Sequence, residues 1–409
     1  MSENLPCWIC CQLGAREHYA IPRALHQVGQ LAHLITDAWI LPQSPLNQLP
    51  QSLFANLRDR FHPDLTQASV QAFTGSLIRF ELAQRLQKTS EWKRIIARNS
   101  WFQQKAIQRL KTITLPLNSR PILFAYSYAA LELFRYAKIR GWYTILGQID
   151  PGLVEETFVQ AEYAKYPTYQ PNWQSAPSHY WTYWEEECLL ADRVVVNSPW
   201  SSQSLQQAGV SAKKIDIIPL AYEPPDAALD FVRVYPPRFS AQRPLRVLFL
   251  GQIILRKGIV ALLKAADLLC HQPIEFWLVG SPGIDEQAKI NKHIRYLGAV
   301  PRRATAHYYK RADVFLFPTL SDGFGLTQLE AQAWKLPIIA SRFCGEVVKD
   351  QVNGIMLPEV SGEAIAQALE FCLYNPQQLQ SFSREATDMS MFSLSQLHQH
   401  LQSLAHAIG

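Results

Sequence analysis

Apolar residues along the chain gather in short unbroken runs, separated by longer stretches with helical spacing. In the first half the runs are CWICCQL, LAHLIT, PILFAYS, YTILGQ, RVVVNS and IDIIPL, and in the second half LRVLFLG, EFWLVG, IRYLGAV, DVFLFPT and LPIIAS. A strand that is apolar at every position is buried on both faces, which happens in parallel sheets covered by helices on either side. The pattern therefore predicts the α/β class. Residues 361–385 carry a helical pattern, and the final segment MFSLSQLHQHLQSLAHAIG reads as an amphipathic helix.

The runs fall into two groups. Between them lies EPPDAALDFVRVYPPRFSAQRP, with prolines at 224, 225, 236, 237 and 244, which reads as an inter-domain linker. LRVLFLGQ, from Leu245, then restarts a strand–turn–helix unit. The expected division is a first domain over 1–222, a linker over 223–244, a second domain over 245–385, and a terminal helix over 386–409 that packs back on the first domain. A chain of 409 residues suits two domains of ordinary size. Two doubly wound domains facing each other enclose a cleft at the carboxyl ends of both sheets, where such folds bind ligands.

Composition narrows the function. Hydrophobic residues make up 48% and charged residues 18%, so both halves can bury a core. The net charge of +5 is too weak for a nucleic-acid binder, but it suits an anionic ligand or a membrane face. The 7 cysteines are scattered, and Cys7 and Cys10 lie in a strand-like run, which favours core packing over a redox or metal role. No His/Cys spacing defines a metal site. MSENLP lacks a basic n-region and no apolar run nears the roughly 18 residues of a membrane span. The expected location is the cytoplasm, or the cytoplasmic face of a membrane.

Three stretches carry candidate chemistry. After the strand LRVLFLG, Gly251 opens a short loop in which Arg256 and Lys257 directly precede Gly258 and a helix. Cations beside a helix N-terminus form a phosphate site, although such a pair also occurs as a solvated turn. IEFWLVGSPG ends a strand at Gly280, and Ser281, Pro282 and Gly283 make the turn; the glycines let a flat group approach the backbone. In SDGFGLTQLEAQAWKLPIIAS, Asp322, Gly323, Phe324 and Gly325 form a loop, a helix begins near Leu326, and Glu330 lies one turn into it. Glycines there turn backbone amides toward an anion. A glutamate beside a phosphate site makes sense when it accepts hydrogen bonds from ribose hydroxyls. Taken singly, Asp322 fits a helix cap and Glu330 an exposed helix position. Together with Arg256 and Lys257 they ask for a ligand with a diphosphate, a ribose and a second polyhydroxyl group, and a sugar nucleotide has those parts.

On GQIILRKG, LVGSPG, YLGAVPRRATAHYYKRADVFLFPT, SDGFGLTQLEAQAWKLPIIAS and VVKDQVNGIMLPE, residues 245–385 resemble the donor domain of retaining glycosyltransferases of family 4, which have the GT-B fold. The family signature is a glutamate, seven residues, then a glutamate; here Asp322 fills the first slot and Glu330 the second. The resemblance implies that Asp322 contacts the donor sugar and Glu330 the ribose. It makes Gly323, Phe324, Gly325 and Leu326 the phosphate loop and Lys257 the main cation. Two positions depart from the pattern. Asp322 is one methylene short of glutamate, which bears on donor choice, and Gln252 occupies the usual arginine slot, so that Arg256 supplies the charge in this reading.

The first half matches the family more loosely, chiefly through NSPWSSQSLQQAGVSAKKIDIIPLAYEPP. Its first loop, usually glycine-paired, is LGAREHYAIPRAL: Gly14 remains, followed by Arg16, Glu17 and His18 at an expected helix start. Arg16 is then a phosphate contact and His18 an acceptor contact, against the simpler reading of a capped helix end. Where the family commonly has a histidine near the sugar, TILGQIDPG offers Gln148 and Asp150. Residues 161–184 carry eight Tyr or Trp, suited either to stacking on an acceptor sugar or to helix packing. Residues 91–113 carry six basic residues against one acid, with Trp and Phe interleaved, suited either to a membrane face or to an ordinary surface helix.

The expected activity is transfer of a sugar, with retention, from a UDP- or GDP-linked donor to a glycan, lipid-linked or small-molecule acceptor. Arg256, Lys257 and the amides after Asp322 stabilise the departing diphosphate without a cofactor or a required metal. No Asp-x-Asp is present to chelate one. A dinucleotide oxidoreductase would need G-x-G-x-x-G after a first strand and an acid about 20 residues on, which neither half supplies. The non-enzymatic alternative is a degenerate transferase serving as a binding or assembly subunit, motivated by the altered first loop and Gln252.

Overall fold

The computed structural model describes residues 5–48, 57, 59–87, 89–116, 118–285 and 293–408. The first sheet contains β1 (Pro6–Gln12), β2 (Leu31–Thr36), β3 (Val70–Ala72), β4 (Arg120–Tyr126), β5 (Tyr143–Gly147), β6 (Arg193–Val196) and β7 (Ile215–Ile217). Its strand order is β3-β2-β1-β4-β5-β6-β7, and every pairing is parallel. The second contains β8 (Leu245–Leu250), β9 (Ile274–Val279), β10 (Ile294–Gly298), β11 (Val314–Phe317), β12 (Ile338–Ala340) and β13 (Gly354–Met356). Its order is β10-β9-β8-β11-β12-β13, again all parallel.

Every apolar run read from the sequence is a strand of one of these sheets. The continuous apolar pattern follows from cover on both faces. Trp8, Phe124 and Ile145 pack on one side of the first sheet, while Ile9, Leu123 and Leu146 pack on the other against Phe102, Leu133 and Trp184. The sequence reading missed β3 and β13. Each is a three-residue strand at the edge of its sheet, half exposed, so neither leaves an apolar run.

The proline-rich stretch is packed onto the second domain. Arg233, 5% exposed, donates to the carbonyls of Tyr309, Ala312 and Trp334, and the Tyr235 hydroxyl donates to Asp313 O at 2.9 Å. The terminal helix Leu394–Ala407 crosses back: Leu394, Leu397, Leu401 and Leu404 pack with Trp8, Ile21 and Leu25 of the first domain. The cysteines are free, and Cys7, Cys10 and Cys11 are buried in β1. Among the described residues, no helix is long and apolar enough to cross a membrane.

Candidate active site

In each sheet the strand order reverses direction once, between β1 and β4 and between β8 and β11. The crevice at such a switch point is where doubly wound sheets receive ligands. The loops after β8, β9 and β11, with the helix that follows β11, carry the residues singled out in the second domain. The loop after β8 runs from Gly251 through a single 3-10 turn, Leu255–Lys257, to Gly258, and Ile259–Leu268 continues as helix. Gly258 has φ of 70°, and a Cβ there would lie 1.9 Å from Pro318 O, so only glycine lets this loop approach the end of β11. The loops after β8 and β11 are joined by hydrogen bonds: Leu320 N donates to Arg256 O at 2.9 Å, and the Arg256 side-chain Nη1 donates to Ser321 O at 3.0 Å. Gly280, at the end of β9, packs against the Gly251 carbonyl.

Lys257 and Asp322 form a close ion pair in which both side chains are mostly buried. Burial pushes the Asp322 carboxyl up, but the Lys257 and Arg256 charges outweigh it and hold the group below the usual carboxylate range. Arg256 turns the other way, across the domain boundary, with Nη1 3.5 Å from Glu155 Oε1. Burial raises the Glu155 carboxyl to about 7 against the pull of Arg256. Of the two cations adjacent in sequence, Lys257 pairs with Asp322, while Arg256 bridges the loop carrying Asp322 and Glu155 of the first domain.

The loop behind Asp322 is clamped at several points. A Cβ on Gly323 would lie 2.5 Å from Ile149 O of the first domain, and Ser201 Oγ donates to Gly323 O at 3.3 Å. Phe324 is buried against Phe392 and Gly345 and anchors the loop from below. Gly325, in the left-handed region at φ 87°, precedes the helix Leu326–Ala333, whose first turn has no side-chain cap. That leaves the helix start open to an anion. Glu330 follows Leu326 by four residues, about 6 Å along the axis. Its carboxylate accepts from the Tyr309 hydroxyl at 2.8 Å and lies 3.9 Å from Arg302 Nε. Burial raises the Glu330 carboxyl, opposed by the Tyr309 hydrogen bond and Arg302.

On the facing side, Gly14 follows β1, but its amide donates to the buried Asp37 Oδ1 at 3.0 Å, and Arg98 holds Asp37 Oδ2 at 3.0 Å. The expected helix start is a left-handed turn. Glu17, His18 and Tyr19 have φ of 51°, 51° and 61°, and helix begins only at Ala20. Arg16 lies over the Tyr126 ring, 5.7 Å from its centre. Burial, with Arg302, His62 and Arg23 nearby, drives the His18 imidazole down to about 4, so it is neutral near pH 7. Gln148 and Asp150 form one network: Asp150 Oδ1 accepts from the Tyr128 hydroxyl at 2.6 Å, Gln148 Nε2 at 3.0 Å and Gly152 N at 2.9 Å.

The fold therefore brings Lys257, Asp322 and the start of the Leu326–Ala333 helix together at one switch point, with Glu330 further along that helix. Arg256 lines a cavity of about 630 Å³ between the domains, which Asp150, Glu155 and several rings of residues 161–184 also line. In the basic helix Glu91–Leu110, Trp101 packs on Phe80 and Phe102 is buried, so these rings face inward. Sequence reasoning missed Tyr309, Arg302, Tyr128 and Glu155. Only contacts between distant segments give them roles, and no local motif marks them.

Residues 244–375 match the family model described as Glycosyl transferases group 1. This segment holds Lys257, Asp322 and Glu330. The chain is similar to the amylovoran biosynthesis glycosyltransferase AmsK of Erwinia amylovora, 26% identical over 178 residues, covering 39% of this chain and 42% of that one. It spans less than half the length of the curated relatives it matches first. Among solved structures it resembles sucrose-phosphate synthase from Thermosynechococcus elongatus, with TM-score 0.63, 18% identity and 99% of each chain covered. It also resembles HepE of Anabaena in complex with UDP-glucose, with TM-score 0.60, 13% identity, and 98% of this chain and 100% of that one covered. These likenesses establish the GT-B arrangement of two Rossmann-like domains.

Proposed function

We propose that the chain is a retaining glycosyltransferase of the family 4 type that moves a sugar from a nucleotide-sugar donor to a hydroxyl acceptor. The observation that carries this reading is the meeting of Lys257, Asp322 and the uncapped Leu326–Ala333 helix at the second-domain switch point, within the group 1 segment. Lys257 and the helix-start amides receive the diphosphate, exchanging the Asp322 carboxylate for phosphate oxygens. Asp322 then meets the donor sugar, and Glu330, oriented by Tyr309, takes the ribose hydroxyls. A uridine donor is favoured because the HepE structure, aligned over nearly the whole chain, is a complex with UDP-glucose.

Charge developing on the leaving diphosphate is met by Lys257 and backbone dipoles, with no metal required. The acceptor hydroxyl attacks from the face that the diphosphate leaves, and its proton passes to the departing phosphate oxygen as the sugar–phosphate bond breaks. The acceptor enters from the first domain, and the exposed Lys93, Arg94 and Arg109 of the basic helix support presentation at an anionic membrane surface.

A thermal-shift panel of UDP- and GDP-sugars, followed by turnover with the best stabiliser in the presence of EDTA, tests the reading. At least one nucleotide sugar should stabilise the protein, and Lys257→Ala and Glu330→Ala should abolish the shift. Shifts unchanged in both variants would place the donor elsewhere. An inverted anomer in the product, read by NMR, would sink retention.

A further inference from the structure

The inter-domain cavity of about 630 Å³ falls within the roughly 300–1,000 Å³ of small-ligand sites. Its walls have an unusual balance. Trp92, Tyr163, Trp173, Tyr180 and Trp181 contribute aromatic surface. These rings are held in place: Tyr163 stacks on Trp173 at 4.0 Å, Tyr180 stacks on Tyr128 at 4.8 Å, and Trp92 Nε1 donates to Gln174 O at 2.8 Å. Among the described lining residues the charged groups are the carboxylates of Glu91, Asp150, Glu155, Glu156 and Asp285 and one base, Arg256. That base is already committed, to Ser321 O at 3.0 Å and to Glu155 Oε1 at 3.5 Å.

We propose that this cavity is the acceptor subsite and that it takes an uncharged pyranose ring while rejecting phosphorylated acceptors; the proposal rests on the transferase reading above. Carboxylates are acceptors only, and the hydroxyls of a sugar are the donors they lack. Two of them are placed for this. Asp150 Oδ1 already takes three donors, so its second oxygen is the one that meets a ligand hydroxyl. Glu155 Oε2 is buried with no hydrogen-bond partner among the described residues. The apolar face of a pyranose covers the indole and phenol rings and leaves its hydroxyls for the acids. A phosphate entering the same space would meet the carboxylates of Glu91, Asp150 and Glu156, while Arg256, the base among the described lining residues, is already paired with Glu155.

Saturation-transfer NMR on the full chain with saturating UDP tests this. The probes are the methyl glycosides of glucose, galactose and mannose, the 6-phosphates of the same sugars, and glucosamine. At least one neutral glycoside should bind at least tenfold more tightly than its 6-phosphate. Trp181→Ala should lose that binding while its affinity for UDP, measured by calorimetry, stays within twofold of the wild type, which also shows the variant is folded. A 6-phosphate that binds as tightly as the neutral sugar overturns the proposal. So does binding of no neutral glycoside by protein that binds UDP, and so does glucosamine binding tenfold more tightly than any neutral sugar. Failure of the wild type to bind UDP overturns the donor reading itself, and the proposal with it.

Discussion

At the scale of single residues, the site is governed by which carboxylate each cation faces. Lys257 faces Asp322 and is the cation that the proposed function assigns to the diphosphate. Lys257→Ala should therefore lower kcat/KM by about 100- to 1,000-fold, the usual effect of removing one preorganised electrostatic contact to a leaving group. Steady-state turnover with the preferred nucleotide sugar checks this, and a loss below tenfold would assign the role elsewhere. Arg256 faces Glu155, and that pair predicts a pH effect. The Glu155 carboxyl rises from its ordinary 4.5 to about 7 in the folded chain. Between those values the folded state holds a proton that the unfolded state has released, so stability is greatest below pH 4.5 for this group and falls as pH rises toward 7. The effect is a few kcal/mol at most, since each tenfold change in proton affinity corresponds to about 1.4 kcal/mol. Glu155→Gln should flatten the decline in Tm between pH 5 and 7.5, and an unchanged slope would show that Glu155 does not titrate there.

Single elements decide how the site is assembled and how much of it the sequence reveals. The loop Asp322–Gly325 was readable, since two glycines between an acid and a helical run need a reason. Beside the proposed anion site, Gly323 also lets the loop touch Ile149 O of the other domain. Gly323→Ala should undock the loop, cost roughly 1–3 kcal/mol by the usual range for core overpacking, and remove most turnover. Denaturant unfolding and a donor assay measure the two effects. The turn Glu17–His18–Tyr19 was not readable, because three successive non-glycine residues at positive φ are uncommon, even with a histidine among them, and a helix start is the natural expectation. Each left-handed residue costs about 1–2 kcal/mol, so the surrounding packing imposes the conformation. His18→Gly should leave stability unchanged or raise it by up to about 1 kcal/mol while reducing turnover, as the acceptor contact expected of His18 requires. A large loss of stability would mean the side chain is needed for folding. Buried parallel strands were the most legible feature, since β1, β4, β8 and β11 announce themselves as apolar runs. Edge strands β3 and β13 and the partners Tyr309 and Glu155 were not, since their roles depend on what the fold brings beside them.

For the whole molecule, the order of the chain and the order of packing differ. The segment that matches group 1 ends at residue 375, yet the chain returns to the first domain afterwards. Tyr222 N donates to Phe392 O at 2.8 Å, so the outgoing and returning strands of chain are tied where they cross. Beyond that point Leu394, Leu397, Leu401 and Leu404 cover Ile21 and Leu25, and Arg120 Nη2 donates to Ala405 O at 2.8 Å. The first domain is therefore completed by the last residues of the chain. Burying a leucine side chain contributes about 1.5–3 kcal/mol, so the four leucines together contribute as much as the whole stability of a typical domain, about 5–15 kcal/mol. A chain ending at residue 385 should unfold in two transitions. The first domain should melt first and bind a hydrophobic dye, while the second domain keeps its own core and its response to UDP. Leu401→Ala should show a milder form of the same split, at a cost of about 2–5 kcal/mol. If the shortened chain instead melts in one transition at the wild-type temperature, the helix is an appendage, and the first domain does not depend on it.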